Sequence, residues 1–151
     1  MVLLHEMPDV ARESLEQASL PQFESCAWTP ASAIKERRVA VVSSAGLSAR
    51  GDKPFTFAAR DHRVLEKDDK DLVMTHLAID YDRIAWQQDL NSILPVDRLA
   101  EMAEAGEIGS VAAKHYSFMG ASDPLGMKKS VTQVAESMHS EGVNTVLLAP
   151  V

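Results

Sequence analysis

The chain closes on Thr145-Val146-Leu147-Leu148-Ala149-Pro150-Val151, an almost unbroken apolar run with no alternation. Such a run fits a strand covered on both faces, the pattern of parallel sheets in α/β proteins. A second run of this kind, Arg38-Val39-Ala40-Val41-Val42-Ser43, is rich in β-branched residues and passes into the small-residue turn Ser44-Ala45-Gly46-Leu47. Parallel strands need crossover connections, usually helical, and those dictate the rest of the reading.

The best helix lies between them. Asp123 suits a cap and Pro124 the first turn, Val131, Val134, Ala135 and Met138 share one face, and Gly142 stops it. An earlier helix opens at Leu94-Pro95-Val96-Asp97 and runs through Ala105, with Leu99, Met102 and Ala103 as its stripe and Gly106 at its end. Residues 8–20 carry a weaker helical pattern that Pro21 ends, and Trp28-Thr29-Pro30 reads as an extended linker. Further strands are expected over residues 72–80 and 110–118, and a polar loop over residues 48–71. The expected fold is α/β, a Rossmann-like three-layer arrangement with a mainly parallel sheet. Residues 1–37 read as a helical and extended arm, and residues 38–151 as the α/β domain. So few strands describe an incomplete domain, cut where the last strand delivers its carboxyl end. Reactive groups of open α/β sheets sit just beyond that end.

Charge narrows the partners. Lys and Arg number 15 against 22 Asp and Glu, a net charge of −7, which disfavours nucleic acid and anionic membranes. No apolar run approaches the roughly 20 residues of a membrane span. The start, Met1-Val2-Leu3-Leu4-His5-Glu6, lacks the basic and apolar regions of a signal peptide, so the expected location is the cytoplasm. The lone cysteine, Cys26, stands between Phe23 and Trp28 and reads as a small hydrophobe without a redox or zinc partner.

Nucleotide binding has no support, because neither G-x-G-x-x-G nor a Walker lysine follows the first strand. His76, Asp80, Asp82, Asp89 and Asn91 are possible metal ligands. An extended His76–Asp80 segment would separate its ends by roughly 10 Å or more, so strand-end hydrogen bonding is the stronger reading and no metal is expected. His115 reads as a structural histidine, and Met102, Met119, Met127 and Met138 as core filler. Arg50-Gly51-Asp52 spells an adhesion tripeptide, a coincidence in a protein of this location.

Several segments, in order and spacing, resemble one family. Val39–Leu47 looks like its opening strand and glycine turn. His76-Leu77-Ala78-Ile79-Asp80 and the run from Asp89 to Leu99 resemble its His-x-x-x-Asp and Asp-x-Asn…Pro-Val-Asp-Arg-Leu elements. Gly106-Glu107-Ile108-Gly109 and Tyr116-Ser117-Phe118-Met119-Gly120 are similar to its Gly-x-Ile-Gly and Tyr-Ser-x-x-Gly elements. The family is that of glycine, sarcosine, betaine and D-proline reductase component B, or selenoprotein B. The resemblance implies an oxidoreductase that cleaves a C–N bond of a small amino-acid derivative, with a dithiol as reductant. The nucleophile it implies is a selenocysteine or cysteine just after the strand that resembles Val146–Val151. No catalytic residue of that kind is present here, and no further cofactor is implied. The resemblance also assigns substrate binding to Ser43, Gly46, His76, Asp80, Asp97, Ser117 and Gly120, and implies other reductase subunits and a homo-oligomer. A selenocysteine codon read as stop would produce a chain ending at this point. The competing expectation is a non-catalytic α/β subunit that binds a small ligand or completes its sheet with a partner.

Overall fold

The computed structural model describes residues 4–17, 22, 24–77, 83–120 and 122–151, with residues 14 and 15 described by their backbone alone. In chain order the elements are α1 (Asp9–Glu16), β1 (Arg38–Ser43), β2 (Leu47–Ala49), β3 (Arg63–Glu66) and β4 (Leu72–Met74). They are followed by α2 (Ile84–Gln88), α3 (Val96–Glu104), β5 (Ser110–Val111), β6 (Lys114–Ser117), α4 (Lys128–Ser140) and β7 (Thr145–Ala149). Among the described residues β1, β3, β5, β6 and β7 form one sheet, and β2 and β4 a separate antiparallel pair.

β1 is the hub of the main sheet. Along one edge it pairs in parallel with β7, from Val39 with Thr145 to Ser43 with Ala149. Along the other it meets β5 and then β6, with Val39 opposite Val111 and Val42 opposite Tyr116. Two residues of β1, Ala40 and Val41, therefore face four of its neighbour, residues 112–115. This bulge leaves the amide of Val41 without a ladder carbonyl. His115 supplies the acceptor: its Nδ1 takes the hydrogen bond from Val41 N at 3.0 Å, in a fully buried position. β3 closes that side of the sheet by pairing antiparallel with β6.

Alternation along β1 sends its side chains into two cores. Val39 and Val41 join Leu65, Leu94, Val96, Leu99 and Ile108, beneath α3. Ala40 joins Tyr116, Phe118, Val134 and Met138, beneath α4, and the Tyr116 hydroxyl bonds Ser137 Oγ at 2.8 Å. The observed class is thus α/β with a mainly parallel sheet and a helix on each face. No helix among the described residues is long and apolar enough to cross a membrane.

Several expectations change. Residues 48–71 are not structureless, because β2 begins before them and β3 lies within them. Of the strand expected over 72–80, Leu72–Met74 forms, residues 75–77 do not continue it and 78–80 lie outside the described residues; it runs antiparallel to β2, outside the main sheet. The strand expected over 110–118 is broken by the bulge. The last helix begins with a 3₁₀ turn, Leu125–Met127, whose amides Asp123 caps at 3.1 and 3.2 Å. Its expected stripe divides: Val134 and Met138 are buried, while Val131 is 49% exposed. β7 is an edge strand, with Leu148 70% exposed, although its composition suits a covered position. Cys26 is exposed and is not packed as a core residue.

His115 makes the fold sensitive to acid. Burial lowers its pKa from 6.5 to about 4, partly opposed by Glu141. The unfolded chain therefore takes up the proton first. Stability from this group is complete above pH 6.5 and is lost as pH falls toward 4, by about 3 kcal/mol in all. Urea unfolding from pH 7.5 to 4 should show that loss in the native chain and a much flatter profile in His115→Gln. Equal slopes would show that His115 is not the group responsible.

Candidate functional site

The carboxyl ends of β1, β6 and β7 meet at one edge of the sheet, and the turn after β1 is bonded to each neighbour. Ser44 N donates to Ala149 O at 3.1 Å, and Gly46 N to Phe118 O at 2.8 Å. Thr75 approaches from the segment after β4, donating through N and Oγ1 to Gly46 O at 2.9 and 3.2 Å. Ser43 and Ser117, both fully buried, accept from Ala45 N and Leu47 N at 3.2 and 2.8 Å. Their hydroxyls fix the turn.

His76 follows Thr75 and sits between two glycines. Both have positive φ, +64° at Gly46 and +89° at Gly120, where L side chains are strained. A Cβ on Gly46 would come within 2.9 Å of His76 N. One on Gly120 would lie 2.6 Å from Ser44 O and 3.0 Å from His76 Nε2. The two glycines form a cradle that a methyl group would fill. His76 is 6% exposed, and its carbonyl accepts from Arg83 Nη2 at 3.0 Å. Burial first, and the Arg83 charge second, depress its pKa and favour the neutral ring.

Beside this edge an open groove of about 450 Å³ runs between α4 and the β1–β7 face. Val131, Met138, Val146 and Leu148 contribute to its apolar walls, with Ser43, Ser44 and Gly120 at one end. Such walls cannot compensate the desolvation of a charged amino acid, so polar recognition is confined to that end. There Ser44 Oγ accepts from Val151 N at 2.9 Å and so fixes the backbone just past β7.

The structure brings together Ser43, Gly46, His76, Ser117 and Gly120 from the residues singled out in the sequence. Asp97 stands elsewhere, on the first turn of α3. Its carboxylate accepts from Asn91 Nδ2 at 3.2 Å and Lys70 Nζ at 3.1 Å, and these partners, Asn91 first, hold its pKa below the usual range. Asn91 Oδ1 in turn accepts from the amides of Asp97 and Arg98 at 3.1 and 3.4 Å, which makes Asn91 the cap of α3. Asp89 bonds Asn91 and belongs to the same cap. Asp80 and Asp82 lie outside the described residues; among those described, no group of three His, Cys, Asp or Glu is placed to hold a metal ion. The reading by residue type missed Ser44 and Thr75, whose partners are distant in sequence and leave no local signal.

The glycine/sarcosine/betaine reductase selenoprotein B family model matches residues 10–151. The chain belongs to this family. It is also 31% identical over 127 residues to the D-proline reductase subunit gamma of Acetoanaerobium sticklandii, a match covering 80% of this chain and 52% of that protein. The chain thus spans about half the length of that relative. No solved structure matches.

The cradle has a measurable signature. Gly120→Ala should cost about 2–4 kcal/mol, combining left-handed strain with displacement of Ser44 and His76. Gly106→Ala, at φ +71° with nothing within 4 Å of its added Cβ, should cost only about 1 kcal/mol. Urea unfolding of both variants decides it, and equal costs would show that the cradle is not tight.

Proposed function

We propose that these residues are the scaffold of a selenoprotein B-type reductase subunit, whose selenol or thiol nucleophile lies outside Met1–Val151. The reaction is reductive cleavage of a C–N bond in a small amino-acid-type substrate. The deprotonated chalcogen attacks carbon, the amine leaves with its bonding pair and a proton, and a dithiol then releases the product and becomes a disulfide. The reading is carried by the convergence of Ser44, His76 and Gly120 where Ser44 Oγ holds Val151 N at 2.9 Å. A residue that follows Val151 starts from this edge. His76, its neutral form favoured by burial, is the base available there to accept a thiol proton.

Ser43, Gly46, Ser117 and Gly120 shape the substrate site beside it. Asp80 completes the set implied by the family, and Asp97 contributes through the α3 cap. The finer fold is a Rossmann-like three-layer domain that continues past β7. From β6 the chain crosses over β1 through α4 to β7; a right-handed crossover onward from β7 would place its helix on the same face. There it would cover Val146, Leu148 and the apolar groove. Homo-oligomer formation, other reductase subunits and a cytoplasmic location complete this reading.

The second reading is a non-catalytic subunit whose β7 edge pairs with a partner chain. It draws on the exposure of Leu148 at 70% and Val146 at 43%.

Translation of the native locus past codon 151 separates the two. The 151-residue chain with dithiothreitol should release no amine from glycine, sarcosine or betaine and should not reduce D-proline. A longer product carrying selenocysteine or cysteine, assayed with its other reductase subunits, should be active, and His76→Ala within it should lower turnover about 100-fold. Activity of the 151-residue chain alone, or full activity of the longer His76→Ala protein, would overturn the reductase reading. The absence of a downstream reading frame would favour the partner-binding subunit.

A further inference from the structure

A second cavity, of about 370 Å³, lies where the segment leading into β3 meets the first turn of α4. Most of its lining residues carry polar or charged groups: Arg60, Asp61, His62, Lys129, Ser130 and Gln133, with Gly126 beside them. Asp61 is engaged by Arg63 at 2.8 Å. Arg60 and Lys129 have no carboxylate partner among the described residues, although the chain carries a net charge of −7. Arg60 is seated on Gly126, where an added Cβ would lie 2.5 Å from Arg60 Nε. Behind the cations, His62 Nδ1 and the buried Ser130 Oγ are 2.6 Å apart, with His62 also facing the Tyr116 and Phe118 rings.

We propose that this cavity binds a small oxyanion, a phosphate or carboxylate group, between Arg60 and Lys129, with the Ser130 hydroxyl donating the orienting hydrogen bond. Two cations without carboxylate partners beside a hydroxyl suit a group with several acceptor oxygens. The Ser130–His62 pair makes the site selective for protonation state. If Ser130 donates to a bare Nδ1, its only proton is directed away from the anion. If Nδ1 carries a proton, Ser130 accepts from it and is free to donate to the ligand. Nδ1 carries a proton in the imidazolium and in one neutral tautomer, so anion binding selects these two forms over the one with a bare Nδ1.

The charged groups acting on His62 are Asp61 and Arg63 on its own segment, while Arg60 and, on α4, Lys129 line the same cavity. Burial and Arg63 disfavour its charged form, against Asp61. An added anion acts with Asp61, so affinity rises as pH falls through the His62 titration. This site is independent of the reductase reading and of any residue beyond Val151.

Sulfate is the suitable probe because its charge is constant across the range. Titrations of the whole chain, followed by NMR of the His62 imidazole at ionic strength matched with chloride, should saturate in the millimolar range. Affinity should rise about 3-fold or more from pH 8 to 6. Arg60→Ala and Lys129→Ala should each weaken binding by about 3- to 10-fold. Gly126→Ala should weaken it without changing charge, and Ser130→Ala should weaken it while the pH dependence set by His62 persists. Phosphate and succinate at pH 6 then identify the source, the tighter of the two naming the natural class. Shifts that do not saturate, a pH-independent affinity, or sulfate binding unchanged in the Arg60→Ala/Lys129→Ala double variant would overturn the proposal.

Discussion

The bond from Val41 N to His115 Nδ1 holds the sheet together at its weakest point. A buried amide without an acceptor costs about 1–3 kcal/mol, and the bulge between β5 and β6 creates one in the middle of the hub strand. With a side chain standing in for the missing carbonyl, β5 and β6 can both follow one edge of β1 while β7 keeps the other. The bulge also sets the register in which Tyr116 and Ser117 lie opposite Val42 and Ser43. Everything at the carboxyl edge depends on that register, because Ser117 Oγ and Phe118 O are the acceptors for the turn after β1.

From this constraint the site follows. Fixing residues 43–47 against β6 leaves the chain little room to turn, and Gly46 takes the left-handed conformation that the turn needs. Gly120 does the same on the facing segment. Absence of two side chains is what admits His76 to the edge. The same geometry explains why the apolar groove and the polar edge differ in character. The groove under β7 is apolar along its length, whereas the hydrogen-bonding groups gather at one end, around Ser44 and Gly120.

The legible parts of the fold were those written in local pattern. β1 is a β-branched run, β7 an apolar one, and the buried Val134 and Met138 of α4 are one turn apart. What escaped depends on long-range pairing. β3 is four residues in a charged stretch, Arg63–Glu66, and is a strand because β6 offers it an edge. β4 ends early because β2, three residues long, gives it no further partner. Val131 and Ala135 match the helical stripe but point to a groove that nothing in these residues fills. At the site, Gly46, His76 and Gly120 came from the family resemblance, while Ser44 and Thr75 act through partners far away in sequence.

The family motifs in this chain are mostly architecture. Asp89, Asn91 and Asp97 of the Asp-x-Asn…Asp-Arg element build the α3 cap. In the Gly-x-Ile-Gly element, Ile108 is core, and a Cβ on Gly109 would come 2.9 Å from Lys35 O. Tyr116 and Ser117 of the Tyr-Ser-x-x-Gly element tie β6 to α4 and to the turn before β2. Only His76, its neutral form favoured by burial at the sheet edge, has chemistry of its own to offer. A signature composed of caps, close approaches and buried hydroxyls identifies a family through its scaffold. For that reason it is recognisable over residues 10–151 even though the only cysteine among them, Cys26, is exposed and precedes β1.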